Sequence, residues 1–411
     1  MLYVEFVLIN FSITNYKMFR DRTVISMEAT KDKRLSDNAF SIEQLPKRKI
    51  LKLITAYGAN ASGKTSVFNA MQLFTNFIKA SASHADGAPL NYTPFAFDES
   101  EKEPTSFEAE FVSNGIRYQY GFGYDSERIV EEHLYKYPNG RKMIVFERDM
   151  DEYVFKSDSK FRAENARRVR KSCLYVSVCS QFNDEDCINV LKWATERLLI
   201  LIDNDMSYAL DVLTTFMDRD EKFRSMVHRA FRIADMGITD VHDRMKSVIG
   251  PSTVSGTVRI PIQDIWVKHE YNDRVKELPI NMESSGTIRF LSVIGQVIFA
   301  LRNGITLVID EIDMSFHMDL CEWIAGLFMD PYENQRNAQL IINTHDALFL
   351  DQSMIRRDQI YIISKDWKIG SSDVKRLSDF NIRNDLDIRK AYLNGSFGGK
   401  PFIAPETLME F

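Results

Sequence analysis

Residues 50 to 66 read Ile50-Leu51-Lys52-Leu53-Ile54-Thr55-Ala56-Tyr57-Gly58-Ala59-Asn60-Ala61-Ser62-Gly63-Lys64-Thr65-Ser66. The segment Ile50 to Ala56 predicts a short, mostly apolar strand, and from Ser66 to Ser81 apolar residues recur at helical spacing. Between them Gly58-x-x-x-x-Gly63-Lys64-Thr65 matches the phosphate-loop pattern in the order its chemistry requires: strand, glycine loop, helix. Glycines let backbone N–H groups wrap phosphates at the positive end of a helix. The lysine reaches the β and γ oxygens, and the threonine hydroxyl ligates Mg²⁺. Gly58, Ala59, Asn60, Ala61, Ser62, Gly63, Lys64, Thr65 and Ser66 are therefore the expected phosphate cradle, with ATP and Mg²⁺ as the expected cofactors. A chance glycine-rich turn would have neither the strand before it nor the helix after it.

A second stretch supplies the acid that such a cradle needs. Thr306-Leu307-Val308-Ile309-Asp310-Glu311 is an apolar strand ending in adjacent carboxylates, and ligands of open α/β sheets bind at that end of the strands. Asp310 is expected in the Mg²⁺ shell and Glu311 as the group that orients the attacking water, because phosphoryl transfer needs positioning and charge neutralisation more than covalent help. Alone, such a strand end is more often structural; with Lys64 it reads as the catalytic edge. Asn343-Thr344-His345 closes the next expected strand and makes His345 a candidate sensor of the γ-phosphate. The bland alternative is a satisfied turn histidine. Glu283-Ser284-Ser285-Gly286-Thr287 precedes a helix, and Ser284, Ser285 and Gly286 offer hydroxyls, backbone and a helix N-terminus to an anion. The alternative there is an ordinary N-cap.

The rest of the chain organises around these motifs. Val4 to Ile13 and Thr23 to Met27 predict paired strands. From Ser106 to Tyr153 apolar and polar residues alternate, with Asn114-Gly115 and Asn139-Gly140 as hairpin turns, so an antiparallel lobe is expected. Asp184 to Ile202 and Tyr208 to Ile233 carry helical periodicity. Strand character returns at Asp240 to Val248 and Gly256 to Lys268, then a helix at Ser285 to Ala300, and short buried strands at Ile305 to Ile309, Leu340 to Asn343 and Gln359 to Ser364. The expected fold is α/β: an ABC-type P-loop head with a mainly parallel sheet, an antiparallel β lobe and a helical insertion. Its expected parts are 1–182 and 239–411 for the head and 183–238 for the insertion.

Composition narrows the partners. With 45% hydrophobic and 27% charged residues, the chain of 411 buries a large core. A net charge of −6 excludes a surface that is basic throughout, so nucleic acid would need a local patch. The densest basic run is Arg162, Arg167, Arg168, Arg170 and Lys171, although most charge runs are merely solvated. Four scattered cysteines without C-x-x-C spacing fit a reducing cytoplasm and no zinc site. The N-terminus lacks a basic leader, and the apolar run Phe290 to Leu301 is too short to span a bilayer, so neither secretion nor membrane insertion is expected.

Taken together, Gly58 to Thr65, Glu283 to Thr287, Asp310 to His317 and Thr344-His345 resemble the RloA/AbiLi-type ATPases of prokaryotes, relatives of the heads of RecF, SMC-like and OLD-family proteins. The tail is similar too, in Arg356 to Tyr361, Leu377 to Phe380 and Ala391 to Gly398, and the likeness is weakest from Cys187 to Phe231. The resemblance implies a homodimer or higher oligomer that sandwiches ATP, with Lys64 of one copy and Ser285 of the other at one site. It also implies a role in abortive infection or anti-phage defence beside a separate effector such as a TOPRIM nuclease or toxin. The signature reads Glu-Ser-Ser-Gly-Thr where transporters have Leu-Ser-Gly-Gly-Gln, which weakens a transporter analogy. By the same resemblance Asn91 to Phe95 stands in the place of a Q-loop, though without a glutamine, and Asp313 and Ser315 are subunit-bridging residues or ordinary caps. His317 is a contact to the opposite site or a structural side chain, and Asn15 to Phe19 an adenine clamp or a surface turn with a buried aromatic. A RecF- or SMC-like DNA-binding ATPase is the competing function. The 66 residues after His345 are expected to be too few for a nuclease domain of the chain's own.

Overall fold

The computed structural model describes residues 6–85, 87–202, 206–234, 236–252, 256–272, 274–350, 352–383 and 386–399. The chain forms two units. The larger comprises Met1–Ile202, Asn303–Ile312 and Ala325–Phe411, and the smaller Asp203–Arg302 and Asp313–Ile324.

In the larger unit, β1 (Phe6–Thr14) turns back as β2 (Thr23–Ser26), as expected; Val4 and Glu5 lie outside the described residues. The stretch expected as one strand from Ile50 divides in two. β3 (Ala39–Ser41) and β4 (Lys49–Leu51) pair as a ribbon, and β5 (Leu53–Gly58) begins anew after Lys52. Lys52 is itself buried, donating to the Met329 carbonyl at 3.3 Å, and marks the change of sheet. Helix α1 (Lys64–Ala80) follows the glycine loop.

Alternation then produces β6 (Thr105–Ser113), β7 (Ile116–Tyr124), β8 (Ile129–Tyr137), β9 (Met143–Asp149) and β10 (Glu152–Phe155). With β1 and β2 they make an antiparallel sheet ordered β10-β9-β8-β7-β6-β1-β2. Asn114 (φ 48°) and Gly115 (φ 75°) both take positive φ, the mirror turn whose twist matches a two-residue hairpin. Helices α2 (Ser159–Ala166), α3 (Tyr175–Cys179) and α4 (Glu185–Glu196) come next.

The helix expected through Ile202 stops early, because Leu198-Leu199-Ile200-Leu201 is a strand, β11 (Leu198–Leu201). It pairs parallel with the strand carrying the acidic edge. α4 and β11 thus belong to the larger unit. An apolar run of four cannot by periodicity alone be told from a helix end.

The smaller unit contains α5 (Met206–Arg219), α6 (Glu221–Ile233), a three-stranded antiparallel sheet of β12 (Ile238–Ser252), β13 (Gly256–Tyr271) and β14 (Arg274–Pro279), and most of α7 (Ser285–Asn303). The chain then supplies β15 (Thr306–Ile309), α8 (Met318–Met329), β16 (Gln339–Asn343), β17 (Ile360–Lys365), β18 (Ser372–Arg376) and α9 (Ile388–Leu393). The second sheet of the larger unit runs β11-β15-β16-β5-β17-β18 and is parallel except for the β17–β18 pair. β5, β15 and β16 are buried along their whole length, which explains their nearly unbroken apolar sequences.

One core joins the two sheets of this unit through α1 and α4. α1 buries Val67, Phe68, Ala70, Met71, Phe74, Phe77 and Ile78. At about 2 kcal/mol per large apolar side chain, that face contributes on the order of 10 kcal/mol. Phe74 stacks on Phe122 at 5.6 Å, and Phe111 stacks on Trp193 at 3.9 Å. Gln339 ties the sheets together by polar means: it accepts from Leu8 N (2.8 Å) and Thr306 Oγ1 (2.9 Å) and donates to Leu8 O (2.9 Å). No described helix is long and apolar enough to cross a membrane.

Candidate functional site

The glycine loop leaves β5 at Gly58, opposite Ile363 of β17. A Cβ at Gly58 would lie 2.4 Å from the Ile363 carbonyl and 2.4 Å from Ser62 Oγ, so the turn requires glycine. Ala61 (φ 61°) and Gly63 (φ 103°) take left-handed backbone, the kind of curl that gathers N–H groups into an anion nest. Ser372 braces the loop by donating to Ser62 O at 2.6 Å. Lys64 is 6% exposed and donates to Gly58 O (2.7 Å) and Ala59 O (3.1 Å). Ser62 Oγ is buried and has no hydrogen-bond partner among the described residues, an orphan that an oxyanion would satisfy.

Sheet order brings the acidic edge to the same place. β15 pairs with β16 and β16 with β5, so Asp310 and Asn343 emerge beside the glycine loop. Thr65 Oγ1 lies 3.4 Å from Asp310 Oδ1. The buried amide of Asn343 donates to Asp310 Oδ1 and accepts from the Glu311 N–H at 2.5 Å. Glu311 takes a left-handed backbone (φ 48°), which a non-glycine residue adopts only when its surroundings hold it there. His345 Nε2 lies 4.0 Å from Glu311 Oε1, with both side chains half exposed. A cavity of about 430 Å³ is lined by Ala59 to Ser66, Glu311 and His345, joined by Met18 and Lys365.

Lys64, Thr65, Asp310, Glu311 and His345 therefore meet at one sheet end. Ser284, Ser285 and Gly286 belong to the smaller unit. There Ser284 Oγ accepts from Thr287 N at 3.1 Å, an N-cap on α7, while Ser285 is exposed. Gly286 packs so closely that a Cβ would lie 2.9 Å from the Ser315 carbonyl, and both residues line an apolar cavity of about 420 Å³ together with His317.

Three expectations change. Tyr16 and Phe19 are buried, with the Tyr16 ring 5.4 Å from Phe107 and its hydroxyl pushed by burial to a pKa of about 12. They are core, and Met18 is the residue of that turn that lines the cavity. The Asn91 to Phe95 segment serves the same turn: Thr93 O accepts from Lys17 N, and Phe95 N donates to Asn15 Oδ1. In the basic run, Arg162 is buried and forks onto Asp184 (2.8 Å) and Asp186 (2.8 Å), so it is a structural clamp. Reading the sequence alone missed Asn343 as a functional side chain. Its only signal there was a polar residue closing an apolar strand.

A phosphate loop and a neighbouring acidic strand end on a parallel sheet, flanked by an antiparallel lobe, define an ABC-type P-loop ATPase head of the α/β class. The chain belongs to the family described as "AAA domain, putative AbiEii toxin, Type IV TA system", whose model matches residues 57–351. No curated protein matches the chain. Among solved structures it is similar to an Smc head bound to the C-terminal winged-helix domain of ScpA, at 14% identity over 94% of this chain and 99% of the other, with TM-score 0.45. It is also similar to the SMC head domain of Thermotoga maritima, at 14% identity over 90% and 98% with TM-score 0.35. The Pyrococcus furiosus Smc head bound to the C-terminal domain of ScpA matches at 15% identity over 91% and 97%, with TM-score 0.42.

Proposed function

We propose that the chain is a Mg²⁺-dependent ATP hydrolase of the RloA/AbiLi kind, which closes as a head-to-tail dimer over ATP. The observation that carries this reading is the Thr65–Asp310 approach of 3.4 Å, with Glu311 and His345 lining the cavity that Lys64 enters. Thr65 and Asp310 offer the hydroxyl and carboxylate oxygens that a small hard cation prefers. When bound, Mg²⁺ neutralises charge on the β and γ phosphates. Lys64 leaves the Gly58 and Ala59 carbonyls for the terminal phosphates. Glu311 orients the attacking water and accepts its proton, and His345 holds the γ-phosphate side. Asn343 positions both acids. Ser285, exposed on the smaller unit, completes the site of a partner copy.

The family description, with its toxin and toxin–antitoxin terms, supports a further reading: the ATPase regulates a separate effector in defence against phage. Hydrolysis should be slow and should disappear in Glu311→Gln, with dimers accumulating in ATP by light scattering. Normal hydrolysis by Glu311→Gln would remove that residue's assignment. Mixing Ser285→Arg with Lys64→Ala tests sharing: composite sites regain activity because one intact pair forms, whereas self-contained sites regain none. Affinity capture from the native host tests the effector, and recovery of no nuclease or toxin would sink that part.

A further inference from the structure

An open groove of about 690 Å³ lies on the larger unit between the segment after β2 and strand β4. One wall carries Lys31 and Lys33, the other Lys47, Arg48 and Lys49. All five are exposed. The acids that line the groove are already engaged: Glu28 pairs with Arg48 at 2.6 Å and Asp32 with Arg34 at 2.7 Å. Lys31, Lys33, Lys47 and Lys49 have no ion-pair or side-chain hydrogen-bond partner among the described residues. In a chain of net charge −6 this is a local concentration of uncompensated positive charge.

The first wall is held from beneath. Buried Arg356 donates to the carbonyls of Asp32 (2.9 Å) and Arg34 (3.0 Å). Asp358 accepts from Thr30 N (2.6 Å) and Thr30 Oγ1 (2.7 Å) and pairs with Arg356 at 2.6 Å. The second wall is tied in by the Ala29 N to Lys49 O bond of 2.8 Å. Two rows of lysines therefore face a common groove on an ordered backbone.

We propose that this groove seats the sugar–phosphate backbone of duplex DNA, without regard to sequence. The lining selects this occupant. Of its residues only Ala29 is apolar, whereas a protein partner fills the centre of its interface with apolar and aromatic groups. A membrane-docking face inserts apolar side chains beside its cations. Single strands are held by aromatic platforms, and no aromatic lines the groove. RNA duplexes are read through 2′-hydroxyls by hydrogen-bonding groups, and here five of the seven exposed lining residues are cations. Four unpaired lysines, each neutralising one phosphate, give a salt slope of about −3.6, so affinity falls roughly 150-fold between about 50 and 200 mM salt.

The test is fluorescence anisotropy of the full chain with two labelled DNA duplexes of unrelated sequence, across that salt range. Competitors are single-stranded DNA, duplex RNA, an acidic peptide and phosphatidylserine vesicles. Expected are equal affinities for the two sequences, the stated slope, and its loss when Lys31, Lys33, Lys47 and Lys49 are all changed to Glu. The fourfold change to Arg should keep binding. ATP hydrolysis by the Glu variant reports that it is folded, since none of the four lysines lines the loop cavity. Binding by the Glu variant within twofold of wild type would overturn the proposal. So would tighter binding of any competitor, or no duplex binding at low salt.

Discussion

Asn343 is the residue on which the geometry of the acidic edge turns, and it makes the sharpest prediction. Its side chain is fully buried at the end of β16, giving one hydrogen bond to a carboxylate oxygen of Asp310 and taking one from the backbone of Glu311. A bond to a charged group contributes about 1.5–3 kcal/mol and a neutral one about 1. Asn343→Leu, which fills similar space and makes neither bond, therefore costs roughly 3 kcal/mol at this edge. The left-handed backbone of Glu311 (φ 48°) loses a restraint in the same step.

If those bonds serve to hold both acids in the reacting geometry, kcat for ATP hydrolysis falls about 100-fold, since each 1.36 kcal/mol is a factor of ten. KM should move much less, because the glycine loop is untouched. Asn343→Asp is the companion variant. It keeps the acceptor for Glu311 N but sets a second carboxylate against Asp310. Two such groups in contact cannot both ionise cheaply, so the pair retains a proton and the acid limb of the pH–rate profile shifts upward. Steady-state hydrolysis across pH, with thermal melting to confirm folding, reads both effects. A folded Asn343→Leu protein with kcat within threefold of wild type would refute the positioning role.

Three further outcomes follow from other contacts. Arg162→Met strips the buried cation from Asp184 and leaves Asp186 with Lys136 alone, and should lower unfolding stability in urea by about 3–5 kcal/mol, because a buried carboxylate loses its charged partner; an unchanged midpoint would contradict the clamp. Burial raises the Asp186 pKa, but Lys136, Arg162 and Tyr118 outweigh it and leave it below the usual value. A depressed folded pKa stabilises above the unfolded value near 4 and is lost as pH falls below it. Asp186→Asn should therefore flatten the acid limb of a stability-against-pH curve, and an unaltered limb would count against the pairing. Gly58→Ala drives a methyl against Ile363 O and Ser62 Oγ; a fluorescent ATP analogue should no longer bind while circular dichroism stays native, and retained binding would show that the turn tolerates a side chain.

Runs of consecutive residues are legible in the sequence, and contacts across the sheet are not. Gly58 to Thr65 sets its own backbone geometry, because the glycines and the helix start are neighbours in the chain. The buried strands β5, β15 and β16 are legible as nearly unbroken apolar runs. β18, Ser372-Asp373-Val374-Lys375-Arg376, went unread because an edge strand with polar side chains looks like a loop. β11 reads as the end of a helix for the opposite reason, since Leu198 to Leu201 is apolar at every position.

The same divide runs through the candidate sites. Tyr16 and Phe19 look available in a polar turn, and only the packing of Phe107 against Tyr16 shows the ring to be core. Arg162 heads the densest basic run, yet its partners Asp184 and Asp186 lie more than twenty residues on and turn it inward. Meanwhile Lys31-x-Lys33 and Lys47-Arg48-Lys49 are too short to stand out as runs. They become one feature only because the β3–β4 ribbon and the Arg356 brace bring them to opposite walls of a groove. Charge density along a sequence is thus a poor guide to charge density on this surface. A basic residue contributes to a field outside the protein only if the fold withholds a carboxylate from it, and that depends on strand order rather than on its neighbours in the chain.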